Sequence, residues 1–260
     1  MDGMKRVLSF VRRAVDDYEM IKEGSKVAVG VSAGKDSLTL LYALSALKIF
    51  YPKKFELCAI TVDMGFEEAD FSEIAALCKE LGVEYHVVPT QISKVIFDVR
   101  KEKNPCSLCA KMRRGALYGY AREIGCDTVA LGHHFDDVVE TFMLNLFYEG
   151  RIGCFQPVTY LSNTGITLIR PMIYMPEKDV RYFASKNNIP VQKSPCPADG
   201  NTEREEMKKL IASLERQNKG LRYRIFGAIQ RGEIDGFKLC GKMGGVKEYE
   251  NEDNAENLEN

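Results

Sequence analysis

Six polar and small residues, Ser32-Ala33-Gly34-Lys35-Asp36-Ser37, stand between an apolar stretch at 26–31 (KVAVGV) and an apolar helical run at 38–50. The order is strand, tight polar loop, helix. It sets several backbone N–H groups and the positive end of a helix where a phosphate chain can sit. The spacing is not that of a Walker A loop: it is one residue short, and Asp36 stands where a Mg-binding Ser or Thr is required. The loop reads as a pyrophosphate site, with the Ser32 and Ser37 hydroxyls and Lys35 as side-chain donors. The plainer alternative is an ordinary βα turn with a Ser N-cap. Two hydroxyls, a Lys and an Asp within six positions weigh against it.

The rest of the chain repeats this alternation. A helix is expected over 5–20, with Val7, Phe10, Val11 and Val15 on one face. Further strands are expected over 55–62, 84–88, 127–131 and 167–172, and helices over 37–49, 69–81, 107–124, 136–147 and 177–187. Strands that are almost continuously apolar and alternate with helices predict an α/β fold, a doubly wound and mostly parallel sheet with an N-terminal helix. Ligands of such sheets bind at the carboxyl ends of the strands. The Ser32–Ser37 loop, Asp63-Met64 and Gly132-His133-His134 all fall at expected strand ends. Residues 202–230 read as a basic helical segment, too polar for a core helix. The expected organisation is an N-terminal helical segment (1–24), a nucleotide-binding domain (25–200), a basic C-terminal helical segment (201–247) and an acidic, disordered tail (248–260).

At 260 residues, 45% hydrophobic and 28% charged, the chain has the composition of a soluble globular protein. It has no run of eighteen apolar residues, and its first residues lack the apolar core of a signal peptide. A cytoplasmic protein without a membrane partner is therefore expected. The net charge of −1 conceals an acidic tail on a basic body.

Eight cysteines in such a chain are not a disulfide framework. Cys58 lies in a strand-like run, and Cys78 shares a helix face with Phe71, Ile74 and Leu81. Cys126, Cys154 and Cys240 lack a partner at ligand spacing. Cys106-Ser-Leu-Cys109 at a helix start fits a redox pair, half a zinc site or two iron–sulfur ligands. Cys196, in a Pro-flanked loop, is the third candidate. A closed zinc site wants four protein ligands, so a three-cysteine set favours a cluster with one open iron. In Gly132–Asp137 (GHHFDD), His134, Asp136 and Asp137 fit Mg²⁺ or ATP; helix capping by Asp136 is the plainer reading. Arg100, Lys101, Lys103, Lys111, Arg113 and Arg114 surround the CxxC pair. They are either a solvated face or a seat for polynucleotide phosphates.

Taken in order, SAGKDS, CSLC followed by RRG, GHHFDDVVETFMLNLFYEG and IRPMIYMPEKDV resemble the tRNA 2-thiocytidine synthetases, a family of the PP-loop N-type ATP pyrophosphatases. The likeness runs from about residue 11 to 211. It implies an adenine nucleotide α-hydrolase-like fold and an enzyme that thiolates a tRNA cytidine, commonly at position 32, using ATP, Mg²⁺ and a 4Fe–4S cluster. By the same resemblance, Ser32, Ala33, Gly34, Lys35, Asp36 and Ser37 bind the ATP phosphates and metal. Asp63, Met64 and Gly132 border the adenosine, and Asp136 or Asp137 assists the metal or the ATP. Lys35, Asp36 and Asp137 carry the catalysis, while Cys106, Cys109 and Cys196 hold the cluster. Lys111, Arg113 and Arg114 are RNA-binding candidates. Partners implied are tRNA, a sulfur donor (a cysteine desulfurase or inorganic sulfide) and a second copy in a homodimer.

Three features depart from that pattern, one of them a shorter C-terminal region that ends in the acidic tail. Ala33 replaces the second glycine of SGGKDS, so its backbone is expected not to be one that only glycine tolerates. The region around Cys196 also differs from the family's usual sequence. The alternatives weighed are a related tRNA uridine 2-thiolase, a tRNA lysidine synthetase-like ligase, and a non-catalytic metal-binding RNA scaffold.

Overall fold

The protein was analysed as a computed structural model, which describes residues 3–67, 69–100, 105–192, 196 and 203–240. The expected acidic tail at 248–260, the end of the 201–247 segment, and Lys101, Lys103 and Pro195 lie outside the described residues.

Helix α1 (Met4–Asp17) precedes a sheet built from β1 (Lys26–Gly30), β2 (Glu56–Asp63), β3 (Glu84–Pro89), β4 (Thr128–Ala130), β5 (Val158–Leu161) and β6 (Ile166–Ile169). Between them run α2 (Lys35–Phe50), α3 (Ser72–Glu80), the short α4 (Ile92–Lys94) continuing as a π-helical turn (Val95–Val99), α5 (Pro105–Glu123) and α6 (Phe135–Tyr148). Then follow α7 (Glu177–Lys186), α8 (Glu203–Gln217) and α9 (Leu221–Arg231). The strand order is β3-β2-β1-β4-β6-β5, parallel except for β5. The chain steps outward from β1 through β2 to β3, then returns to β4 on the other side of β1. The topological switch therefore lies between β1 and β4, where such sheets open a crevice at their carboxyl ends.

Both faces of the sheet are buried, as period-two alternation requires. Val27, Val29, Leu57 and Ala59 join the larger core with α1, α2, α3, α6 and α7. Ala28, Cys58, Ile60, Val129 and Leu168 face α5 through Leu117, Tyr118 and Ala121. Cys126 lies on that second face with its Sγ 3.6 Å from Cys58 Sγ, so it does have a thiol neighbour.

Two expectations need correction. Segment 202–230 is not too polar for the core: α8 and α9 bury Met207, Ile211, Phe226 and Ile229 in it. Their apolar residues are few but recur at helical spacing, so they form a stripe under a polar face. The antiparallel edge strand β5 was also missing from the expected elements. It has four residues, none fully buried, and returns to β6 through a turn with Gly165 at φ 71°. Among the described residues no helix is long and apolar enough to cross a membrane.

Candidate active site

The polar loop leaves the carboxyl end of β1. Val31 N–H donates to Ile60 O at 2.8 Å, which keeps the chain in the sheet for one more residue. Ser37 then braces the loop: its Oγ accepts from Ser32 N–H at 3.1 Å and donates to Gly34 O at 3.0 Å. Ala33 has φ 61°, in the left-handed region that favours glycine but that an L residue can adopt at a cost. The conformation costs an L residue roughly 1–2 kcal/mol. Burial of the methyl and a hydrogen bond from Gln192 N–H to Ala33 O (3.1 Å) accompany it. Gly34 caps α2 in extended conformation with no side-chain hydrogen bond, so no side chain blocks the first-turn amides from an anion.

Gly132, in the turn after β4, packs directly on this helix start. A Cβ there would lie 3.0 Å from both Asp36 C and Ser37 N. Next to it His134 caps α6. His134 Nδ1 accepts from Asp137 N–H (3.4 Å), while Asp137 Oδ2 accepts from His134 N–H (2.9 Å). This capping box puts the His134 proton on Nε2, which faces Asp36 Oδ1 at 3.6 Å. Asp136 is therefore not the helix cap. Its Oδ2 accepts from Glu177 N–H at 2.7 Å and its Oδ1 from Arg222 at 2.7 Å.

Charges converge on this crevice from both ends of the chain. Lys35 Nζ lies 2.9 Å from Asp36 and 3.2 Å from Glu177. Burial opposes the Lys35 charge, but these two carboxylates outweigh it and raise its pKa. Glu177 also takes Arg181 at 2.9 Å and Lys208 at 3.0 Å. Burial alone would raise its pKa; the Lys208 and Arg181 hydrogen bonds and the Lys35 charge instead hold it at about 2. Arg204 bridges Asp137 (2.9 Å) and Thr141 (3.0 Å). Glu177 and Arg204 were not among the sequence candidates, and Lys208 and Arg222 stood out only as part of a basic segment (208–231) that could extend the polynucleotide surface. Glu177 lies within the IRPMIYMPEKDV run, where it reads simply as an acidic helix start.

Asp63 ends β2 and Met64 follows it at the same edge. Asp63 Oδ1 accepts from Gly65 N–H at 2.8 Å, and Met64 O accepts from Ser93 N–H at 2.9 Å. Pro105 opens α5, a favourable first helical position. Leu117 lies against Gly30 at the carboxyl end of β1, so the turns before it rise above that edge. Cys106 is exposed and Cys109 half-buried on those turns, and Cys196 is half-buried. Burial raises the Cys109 pKa; Arg113 opposes this, while the charges of Cys196 and Cys106 add to it. Cys109 is thus within electrostatic reach of both Cys106 and Cys196. Soft thiolates match an iron–sulfur cluster better than the oxygen ligands of a hard cation. Among the described residues no group of three or more His, Cys, Asp or Glu is drawn together tightly enough to hold a metal ion. Lys111, Arg113 and Arg114 are exposed on the same helix.

A second polar cluster lies beyond β4. Tyr118 Oη, His133 Nδ1 and Arg170 Nε are buried without a hydrogen-bond partner. Each such atom ordinarily costs about 1–3 kcal/mol. The Phe155 ring lies 4.9 Å from that of His133 and 5.0 Å below the Arg170 guanidinium. Burial, with Arg170 nearby, lowers the His133 pKa to about 4, so its ring is neutral near pH 7.

A model of the PP-loop domain family matches residues 5–215. The tRNA-cytidine(32) 2-sulfurtransferase of Geobacter metallireducens is 40% identical over 228 residues, covering 86% of this chain and 89% of that protein. The protein of the same name from Pseudomonas putida is 39% identical over 232 residues, covering 87% and 83%. Among solved structures, the U34-tRNA thiolase NcsA from Methanococcus maripaludis, with its 4Fe–4S cluster, is similar at a TM-score of 0.71. It shares 29% identity over 86% of this chain and 77% of its own.

Proposed function

The chain belongs to the PP-loop domain family, and from that premise we propose that it is an ATP-dependent tRNA sulfurtransferase that converts cytidine 32 to 2-thiocytidine. One observation carries the reading: a helix start free of side-chain caps follows β1, and the helix that bears the CxxC pair packs on the end of that same strand through Leu117. Nucleotide activation and sulfur delivery then meet in one crevice.

A cytidine C2 carbonyl is a poor electrophile with a poor leaving group. In the proposed reaction its O2 attacks the ATP α-phosphate and pyrophosphate departs. A sulfur nucleophile then forms the C2–S bond as the C2–O bond breaks, and the oxygen leaves in AMP. The amides of Gly34–Ser37, the Ser32 hydroxyl and Lys35 hold the phosphates, while Ser37 keeps the loop in shape. Lys35 offsets charge as it develops on the leaving pyrophosphate. Asp36 and Asp137, both beside His134, would offer oxygen ligands to Mg²⁺, which would supply positive charge to the phosphates. Asp136 ties the α6 and α7 starts together beneath them. Asp63 and Met64 border the nucleoside, with Gly132 pressed against the loop.

Cys106, Cys109 and Cys196 would hold the cluster, leaving one iron without a protein thiolate to present sulfur. Arg113 stabilises the Cys109 thiolate, and Lys111, Arg113 and Arg114 meet the RNA backbone. The proposal includes a cytoplasmic location, a homodimer, and a cysteine desulfurase or inorganic sulfide as sulfur source.

Mass spectrometry of tRNA nucleosides from a deletion strain tests the reading, and loss of 2-thiocytidine alone is expected. Loss of a thiouridine instead would move the substrate to the second reading, favoured by the likeness to a U34 thiolase. Unchanged thionucleosides would overturn both. In anaerobically reconstituted protein, Cys196→Ala should abolish thiolation and leave ATP binding intact.

A further inference from the structure

Tyr118 Oη, His133 Nδ1 and Arg170 Nε account for three of the buried polar atoms left without partners, and they come from three different elements of one neighbourhood. Tyr118 is on α5, His133 follows β4 and Arg170 follows β6. Phe155 joins His133 to Arg170, and Tyr118 packs in the same apolar cluster as Leu168 on β6. Natural folds seldom leave such groups unsatisfied, and a concentration of them marks strain or a missing ligand. Arg170 is otherwise held in place: it donates through Nη1 to Gln156 O and to Thr159 Oγ1 (3.3 Å).

The position of this cluster along the sheet edge is specific. The order β2-β1-β4-β6 sets Asp63, the Ser32–Ser37 loop, Gly132-His133 and Arg170 side by side, strand after strand. Under the proposed function, the nucleoside lies over β2 and the phosphates over β1. The group that attacks the α-phosphate must approach from the β4–β6 side. Tyr118 also projects back toward the N-terminus of α5, the direction of Cys106 and Cys109.

The chemistry of the cluster fits a flat, uncharged ring with a mixed polar edge. Phe155, the neutral His133 ring and the Arg170 guanidinium pack against one another and are groups of the kind that stack on unstacked bases. Arg170 Nε can only donate, and so suits O2 or N3 of a pyrimidine. Tyr118 Oη can donate or accept, as can His133 Nδ1 according to tautomer, which suits the N4 amino group or the ring acceptors. A phosphate would call for donors alone. We propose that Tyr118, His133, Phe155 and Arg170 form the subsite that receives the extruded pyrimidine of the RNA acceptor. The inference rests on the sulfurtransferase reading.

Tyr118→Phe tests it, because the change removes one orphaned oxygen and keeps the ring. Reconstituted wild type and variant would be compared for thiolation of an unmodified tRNA, for ATP binding by equilibrium dialysis, and for thermal midpoint. The subsite predicts at least a tenfold loss in kcat/KM for tRNA, ATP affinity within twofold of wild type, and a midpoint that does not fall. Phe155→Leu, which keeps an apolar filler but removes the stacking face, should show the same pattern. Wild-type thiolation by both variants would overturn the subsite, whatever their stability. So would a tenfold loss of ATP affinity in Tyr118→Phe, which would assign the cluster to the nucleotide. If wild type itself thiolates no tRNA, the function reading falls and takes the subsite with it.

Discussion

Glu177 receives three cations at one carboxylate, Lys35, Arg181 and Lys208, and so links α2, α7 and α8. Its pKa in the fold is about 2 against an ordinary 4.5. With the folded value depressed, the unfolded chain takes up the proton first. The stabilisation is complete above about pH 5 and is lost as the pH falls toward 2; the gap corresponds to about 3 kcal/mol. Glu177→Gln should therefore destabilise the protein by about that amount at pH 7 in urea unfolding, with the difference shrinking at pH 3. A difference independent of pH would assign the effect to packing. Little of this was legible in the sequence, since Lys35 and Lys208 come from distant parts of the chain. The phosphate loop was legible because its residues are contiguous. What the sequence did not announce there is the positive φ of Ala33, a local cost of roughly 1–2 kcal/mol that accompanies a buried methyl and a tertiary hydrogen bond from Gln192.

Elements were more legible than their contacts, because strand and helix periods are local properties while packing partners are not. The expected strand over 26–31 and helix over 107–124 appear as β1 and α5 with shifts of one or two residues. The carboxyl-edge position of the GHH turn follows from the same alternation. Its intimacy with α2 does not: Gly132 carries no positive φ, and only the structure shows α2 backbone occupying its Cβ position. Gly132→Ala forces atoms of the Asp36 and Ser37 backbone to move, and the start of α2 with them. Overpacking of this kind costs typically about 1–3 kcal/mol. The expected outcome is a loss of stability in that range and weaker ATP binding by equilibrium dialysis. Wild-type ATP affinity in a destabilised variant would separate the turn from the loop's function. For α8 and α9, expected as helical, composition hid the burial: their mean polarity masks the apolar stripe that includes Met207, Ile211, Phe226 and Ile229.

At the scale of the whole molecule, α8 and α9 close the crevice that the sheet opens. Phe226 is fully buried, with ring centroids 4.8 Å from Phe135 and 5.7 Å from Phe237. Phe135 is the first residue of α6 and is followed directly by Asp136 and Asp137. The same two helices carry Arg204, Lys208 and Arg222 to Asp137, Glu177 and Asp136. Apolar burial and charge pairing are thus coupled through one piece of chain. Removing the Phe226 ring leaves a cavity under α6 and loosens the helices that bring those cations. Phe226→Ala should cost about 3–5 kcal/mol in urea unfolding. If the coupling holds, ATP affinity should fall as well, although Phe226 is a core residue outside the crevice. Arg204→Gln, which leaves the core intact, should reproduce part of the affinity loss with little loss of stability. Unchanged ATP affinity in both variants would mean that β1, β4 and their loops shape the nucleotide site without the C-terminal helices.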